Sequence, residues 1–159
     1  MALDKYHLSL AGEYRVASEL LKRDIFATIT FGNAKGADIY AIGPSRRTAI
    51  IEVKSSNSSK FVTGFYQKYQ DEMRDHPNFW VLYSLMDPDA EEFYVLSHAE
   101  MAKTQDSRNF PGKSMTYAEH AVAVAKGVDN VLAKDLKKYK SAWGKIGKYL
   151  KAPPTNDSE

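Results

Sequence analysis

The stretch IIEVKSS, residues 50–56, places an acid and a base close together in a segment that begins as an apolar run. Side chains alternate between the two faces of a strand, so Glu52 and Lys54 fall on the same face as Ile50. A carboxylate or an ammonium group that is covered by other residues is costly unless it has a partner. We therefore take Glu52 and Lys54 as candidates for a chemical role.

Another acid, Asp38, lies near the start of the preceding predicted strand, 37–43. The connection GPSRR, 43–47, carries Gly, Pro and Ser where a tight hairpin turn needs them, so the strands 37–43 and 48–55 should pair antiparallel. In such a hairpin Asp38 lies across from the middle of the second strand. Its carboxylate can then lie close to the carboxylate of Glu52 and the amine of Lys54.

This set of charges favours metal-assisted hydrolysis of a phosphate ester. Two neighbouring carboxylates repel each other, and a divalent cation removes that cost. Hard oxygen ligands suit Mg²⁺, which takes one or two carboxylates and keeps several waters. Lys54 can hold or activate a water and stabilise the negative charge that grows on a phosphate under attack.

A further acid lies on the first predicted helix, 5–22. The apolar residues of this helix recur with helical spacing and form one stripe: Leu10, Tyr14, Ala17 and Leu21. Glu13 projects into the apolar side of the helix, whereas Glu19 should point to water. An acid that faces a core needs a metal or a neighbouring cation. The alternative is a wet first turn, where a carboxylate favours the helix dipole.

The rest of the chain mixes strands and helices. Further strands are predicted at 25–31, 77–86 and 93–97. Helices are predicted at 64–75 and 133–150. Two more are predicted from capping boxes: one starts at Ser97 and Glu100, and the other runs from Thr116 and Glu119 to Gly127. No periodicity is seen over 104–114, and 108–113 should be a surface loop. This order predicts an α/β domain with a mixed sheet and helices on both sides.

The chain has 159 residues, enough for one hydrophobic core. We expect a single domain, 1–151, and a disordered tail, 152–159. There is no cysteine, which excludes disulfides, zinc–thiolate sites and thiol nucleophiles and favours a reducing compartment. No apolar run approaches the roughly 20 residues of a membrane span, so a cytoplasmic protein without a membrane segment is expected.

The net charge is only +2, but residues 126–151 hold eight lysines against two aspartates. Clustered lysines are typical of a surface that docks a polyanion, and equally of a solvated helix face. The four histidines lack the spacing of a zinc site, and His98 is most simply a first-turn helix residue. Aromatic residues at 61–69 could stack on bases or belong to the core.

The charged residues follow the order of a known signature: Glu13 on the first helix, Asp38 after a glycine turn, and Glu52, Val53 and Lys54 on the next strand. They resemble the PD-(D/E)xK nuclease superfamily, and the layout is similar to its archaeal Holliday-junction-resolvase-like and restriction-endonuclease-like members. The match covers 12–67. The family's proline before the aspartate is Ala37 here, a change that removes no ligand.

The resemblance implies a restriction-endonuclease-like three-layer core, with about five strands in the central sheet, and hydrolysis of DNA by an endonuclease dependent on Mg²⁺ or Mn²⁺. The implied ligands are Asp38, Glu52 and the backbone carbonyl of Val53. Lys54 would be the catalytic lysine, Glu13 would support the metal or its water, and Gln67 matches a glutamine near some active sites. Such enzymes often cut both strands as dimers, so a homodimer is also implied.

Basic residues on segments that flank this site are candidate phosphate contacts: Arg46, Arg47, Lys60 and Lys68. Two alternatives to a nuclease stay open. The same scaffold could serve as a non-catalytic nucleic-acid-binding module in which the C-terminal lysines supply the affinity. It could also be a partner-binding subunit whose acids have only a structural role.

Overall fold

The computed structural model describes residues 4–31, 37–69, 75–113, 119, 122 and 129–153. Its helices are α1 (Lys5–Leu21), α2 (Phe65–Lys68), α3 (His98–Asn109) and α4 (Gly144–Lys151). Its strands are β1 (Phe26–Ile29), β2 (Ile39–Ile42), β3 (Thr48–Ser56), β4 (Lys60–Val62), β5 (Phe79–Ser84), β6 (Glu92–Ser97) and β7 (Asn130–Leu132). Two short 3₁₀ turns, Ala133–Asp135 and Lys137–Tyr139, follow β7.

The main sheet has five strands in the order β1-β2-β3-β5-β6. The pair β3 and β5 is parallel, and the other neighbours are antiparallel. The sheet is therefore mixed, as the sequence predicts, and β2 and β3 form the predicted hairpin. A second, two-stranded sheet pairs β4 with β7.

Apolar clusters cover both faces of the main sheet. On one face Ile51 and Val53 of β3 pack with residues of α1 and α4. On the other face Trp80 and Leu82 of β5 pack with residues of α2 and α3. All six residues of β5 are buried, because this central strand is covered on both sides. The three-layer α/β fold predicted from the sequence is confirmed.

Side-chain alternation along β3 places Glu52 on the α2 and α3 face. Glu52 pairs in register with Trp80, and Lys54 pairs with Leu82. Both charged residues thus lie on a central strand whose parallel neighbour contributes only apolar side chains at these positions. Glu52 is therefore buried, whereas Lys54 keeps part of its side chain exposed.

The helix α1 begins at an Asp4 N-cap, whose Oδ1 accepts the backbone N–H groups of Tyr6 and His7. Its rotation differs from the predicted stripe, since Tyr14 and Leu21 are exposed. Buried Gly12 explains the difference. A Cβ there would lie only 2.0 Å from Ser55 Oγ, so the absence of a side chain lets α1 approach β3 closely.

The prediction that Glu19 points to water is wrong. Glu19 is buried beneath three cations: Arg15, Lys22 and Arg23. Its Oε1 accepts Lys22 Nζ at 2.8 Å and its Oε2 accepts Arg23 Nη1 at 2.6 Å. The hydrogen bond from Lys22 has the largest effect on the pKa of Glu19 and, with that from Arg23, lowers it below its ordinary value against the opposing effect of burial.

The predicted helix over 133–150 is wrong in its first half. The chain there forms the two 3₁₀ turns, and the α-helix begins only at Gly144. The reason is a contact with the sheet edge: Ser141 N donates to Phe93 O at 2.8 Å, and Ser141 has a φ of 52°. An L-residue in that left-handed conformation ends a helix.

The capping box at Ser97 and Glu100 is confirmed, with both of its hydrogen bonds present. The helix it starts, α3, extends to Asn109, into the segment 104–114 in which no periodicity was found. Of the predicted helix 64–75, the described part is α2 and ends at Lys68. Most of the predicted helix 116–127, and the predicted tail beyond 153, lie outside the described residues. In the described ranges no helix is long and apolar enough to cross a membrane.

Replacing Gly12 by alanine should destabilise the protein. The new Cβ would meet Ser55 Oγ at 2.0 Å and Tyr83 Cδ1 at 3.2 Å, an overpacking that costs about 1–3 kcal/mol of unfolding free energy. Urea denaturation followed by circular dichroism measures the change. Gly147→Ala in α4 is the matched control, because a Cβ there meets nothing within 4 Å. This variant should raise the unfolding free energy by about 0.5–1 kcal/mol, since alanine favours a helix more than glycine does.

The double variant Gly12→Ala, Ser55→Ala should recover most of the loss. Ser55 Oγ is buried and has no hydrogen-bond partner among the described residues, so Ser55→Ala alone should cost little. Equal stability of the single Gly12→Ala variant and the wild type would contradict the close approach of α1 to β3.

Candidate active site

Asp38 is held at the start of β2 by the backbone of β3. Its N–H donates to Ile51 O at 3.0 Å, and its Oδ2 accepts the N–H of Val53 at 2.7 Å. Its Oδ1 accepts no hydrogen bond from the residues that the structure describes. Burial raises the pKa of Asp38 above its ordinary value, against the opposing effects of the Val53 N–H and the Lys54 charge.

Glu52 is almost completely enclosed, with only 1% of its surface exposed. Its Oε1 contacts Lys54 Nζ at 3.0 Å and also accepts a hydrogen bond from Lys68 Nζ. Its Oε2 accepts the Tyr69 hydroxyl at 2.8 Å. Burial, the largest influence, raises the pKa of Glu52, but the two lysines together outweigh it and the pKa lies below its ordinary value. Glu52 is therefore a buried anion stabilised by its neighbours.

Lys54 lies beside Glu52 on the same face of β3, and 26% of its side chain is exposed. Burial alone would lower the pKa of this ammonium group. The attraction of Glu52, with a smaller effect of Asp38, outweighs burial and raises the pKa. Lys54 is therefore cationic and has one side open to solvent.

Glu13 approaches the same cluster from α1. It is half-buried, and its Oε1 accepts Ser9 Oγ at the long distance of 3.5 Å. Burial raises the pKa of Glu13, the charge of Asp38 raises it further, and Lys54 opposes both. The structure thus brings Glu13 into electrostatic contact with the residues of the β2–β3 hairpin.

The other predicted site residues have different surroundings. Gln67 is exposed on α2. Lys60 is exposed at the start of β4, near the end of β3 that follows Lys54. Arg46 and Arg47 lie in the β2–β3 turn, about 25 Å along the strand direction from Lys54. The Arg47 guanidinium lies 4.0 Å from the Tyr149 ring centroid and donates to Pro153 O at 2.9 Å.

Two contacts of the site had no signal in the sequence. The sequence predicts Lys68 only as a phosphate contact and Tyr69 as either a base-stacking or a core residue. In the structure both hold the Glu52 carboxylate. Their positions depend on how α2 packs over the sheet, which residue spacing does not encode. The aromatic residues of this segment are core, since all four are buried: Phe61, Phe65, Tyr66 and Tyr69.

The available donors fit a hard divalent cation. Within the described ranges no three His, Cys, Asp or Glu side chains are grouped to hold a metal ion. The set at hand is smaller and consists of two oxygens. Asp38 Oδ1 accepts no hydrogen bond from described residues, and Glu52 Oε1 is held by the ammonium groups of Lys54 and Lys68. A site with one or two carboxylates and several waters is what Mg²⁺ prefers.

Comparisons with known proteins bear on the fold. No protein-family model matches the chain, and no curated protein matches it. Among solved structures it resembles the bacterial homing endonuclease I-Ssp6803I, with a TM-score of 0.56 and 12% sequence identity. The alignment covers 92% of this chain and 94% of that one. At this identity the likeness establishes a nuclease-like fold and leaves the chemistry to be argued from the residues.

An aromatic group next to Glu52 contains a buried histidine. His98, the first residue of α3, stacks on His76 with ring centroids 3.9 Å apart, and its Nδ1 accepts Trp80 Nε1 at 3.1 Å. Burial lowers the pKa of His98 to about 4, with a contribution from His76 and against the charge of Glu52. The ring is neutral at physiological pH.

This histidine should make stability depend on pH. The folded pKa of about 4 lies below the unfolded value of 6.5, so the unfolded chain binds more protons between these values. The stabilisation is complete above pH 6.5 and declines as the pH falls to 4, by up to about 3 kcal/mol. The comparison variant is His98→Asn, which keeps an acceptor for Trp80 Nε1. Its unfolding free energy, subtracted from that of the wild type at each pH, measures the contribution of the His98 ring. A difference that does not change over this range would contradict the assignment.

Proposed function

We propose that this protein is a metal-dependent endonuclease of the PD-(D/E)xK type, which hydrolyses DNA phosphodiester bonds. The observation that carries the proposal is the state of Glu52, a buried carboxylate whose Oε1 faces ammonium groups beside Asp38. Replacing a complete buried ion pair by apolar residues is often neutral or stabilising, so a chemical role explains the charges of Glu52, Lys54 and Lys68 on a nuclease-like fold better than stability does. The homing endonuclease with the similar fold supports DNA as the substrate.

Asp38 and Glu52 would hold Mg²⁺ or Mn²⁺, together with the backbone carbonyl of Val53. Bound there, the cation would lower the pKa of a water and neutralise charge on the phosphate. Asp38 is suited to this because Val53 fixes one of its oxygens and leaves the other available. We assign Glu13 the positioning of the cation or its water from the α1 side.

Lys54 would act on the reacting phosphate. Its ammonium group is cationic, partly open to solvent, and anchored by Glu52 at 3.0 Å. A fixed positive charge stabilises the charge that develops on a phosphate oxygen, and it does so without reorganising during the reaction. From the same resemblance we also propose that Gln67 on α2 lies near the active site and that the protein acts as a homodimer.

Removing either charge should abolish cleavage. Glu52→Gln and Lys54→Met should each reduce the cleavage of linear and branched DNA in Mg²⁺ by about 100-fold or more. Glu52 would hold the cation, and Lys54 would stabilise the charge on the reacting phosphate. Gel assays of initial rates measure the loss, and circular dichroism checks the fold. Glu92→Gln and Lys140→Met are matched controls, because Lys140 forms an ion pair with Glu92 of the edge strand β6, away from the site.

The outcomes separate the open alternatives. Variants that cut as fast as the wild type would exclude the nuclease proposal. Salt-dependent DNA binding by a wild type that gives no product in Mg²⁺ or Mn²⁺ would favour the non-catalytic binding module. A melting temperature unchanged by both metal and DNA would favour a partner-binding subunit.

Phosphate contacts can be tested through the salt dependence of DNA binding. If Lys60 contacts a phosphate, Lys60→Ala should weaken binding and reduce the slope of log K against log salt concentration by about 1. Arg47→Ala should leave the slope unchanged and lower stability instead, because its guanidinium is committed to Tyr149 and Pro153. Fluorescence anisotropy in EDTA measures binding without cleavage. Reversed effects of the two variants would show that the hairpin turn contacts DNA.

A further inference from the structure

Two lysines share one oxygen of a buried carboxylate at this site. Lys54 and Lys68 both contact Glu52 Oε1, whereas Oε2 is held by the uncharged Tyr69 hydroxyl. The nuclease mechanism uses only Lys54. A second ammonium group on the proposed metal-binding oxygen needs its own explanation.

The two lysines are not equivalent. Lys54 belongs to the central strand β3, and 26% of its side chain is exposed. Lys68 is the last residue of the four-residue α2, and 41% of its side chain is exposed. Of two ammonium groups, the more exposed one costs less to move into water. Lys68 is therefore the cation that can leave Glu52.

Charge balance at the site favours the departure of Lys68 when a metal binds. With all three carboxylates ionised, Glu13, Asp38 and Glu52 oppose Lys54 and Lys68, so these five described groups carry one net negative charge. A divalent cation would reverse that sign if both lysines stayed. Departure of one ammonium group makes the cluster neutral, which is the favourable state in a partly buried, weakly screened site.

We infer that Lys68 competes with the divalent metal for Glu52 Oε1, holding the site assembled without metal and moving to solvent when the metal binds. This inference rests on the proposed function, since it requires the metal site at Asp38 and Glu52. Tyr69 keeps Oε2 in place in both states, so Oε1 is the oxygen that exchanges one cation for another. Lys68 is thus a positioning residue, and it acts through Glu52.

A metal titration without DNA tests the competition. If Lys68 occupies the oxygen in about nine of ten molecules, Lys68→Met should bind Mn²⁺ roughly tenfold more tightly than wild type. Isothermal titration calorimetry measures the dissociation constants. Lys103→Met, an exposed lysine on α3, is the control and should bind like wild type. An affinity of Lys68→Met within twofold of wild type would overturn the inference.

Labelling of the wild type gives a second readout that does not depend on the folding of a variant. Mass spectrometry after a short pulse of an amine-reactive reagent should show Lys68 modified several-fold faster with Mn²⁺ than with EDTA, with Lys103 unchanged. An unchanged rate at Lys68 in a wild type that binds Mn²⁺ and cuts DNA would overturn this inference alone. A wild type that binds no metal would overturn it together with the proposed function.

Discussion

The arrangement of the site depends on one electrostatic constraint, the burial of the Glu52 carboxylate. An ionised carboxylate in a low-dielectric interior is tolerated only when cations and hydrogen-bond donors replace the water it has lost. Here the replacement comes from two elements: Lys54 on the same strand, and Lys68 and Tyr69 at the end of α2. The carboxylate therefore ties α2 to β3, and α2 in turn covers the face of the sheet on which the charges lie.

The close contact of α1 complements this constraint from the other face. Gly12 lets the helix lie against Ser55, one residue beyond Lys54, and the next helical residue is Glu13. The rotation of α1 then exposes Tyr14 and buries Glu19 under three cations. One small residue thus decides which acids of α1 meet the sheet. These contacts hold α1 against the sheet. The resulting fold resembles that of the homing endonuclease although the two sequences are only 12% identical.

Much of the fold could be predicted because its signals are local. Alternation, the apolar run of β5, the hairpin turn and the capping box of α3 each depend on neighbouring residues. The proximity of Asp38 to Glu52 also followed, since hairpin pairing determines which residues face each other.

What could not be predicted depends on distant packing. The rotation of α1, the Lys68 and Tyr69 contacts with Glu52, and the β4–β7 pair arise from segments that meet only in the folded chain. The helix predicted over 133–150 was interrupted for the same reason, by the contact of Ser141 with β6.

The hydrogen bonds of Asp38 and Glu52 span only 15, 16 and 17 residues of chain. Every charged group of the cluster except Glu13 therefore belongs to one continuous stretch, 38–69. Closing such short loops costs little chain entropy. Of the described segments after β5, α3 supports this stretch through His98, whose ring lies 5.0 Å from that of Tyr69 between centroids. Among the charged groups of the cluster, Glu13 is thus the one that reaches this stretch from a distant part of the chain.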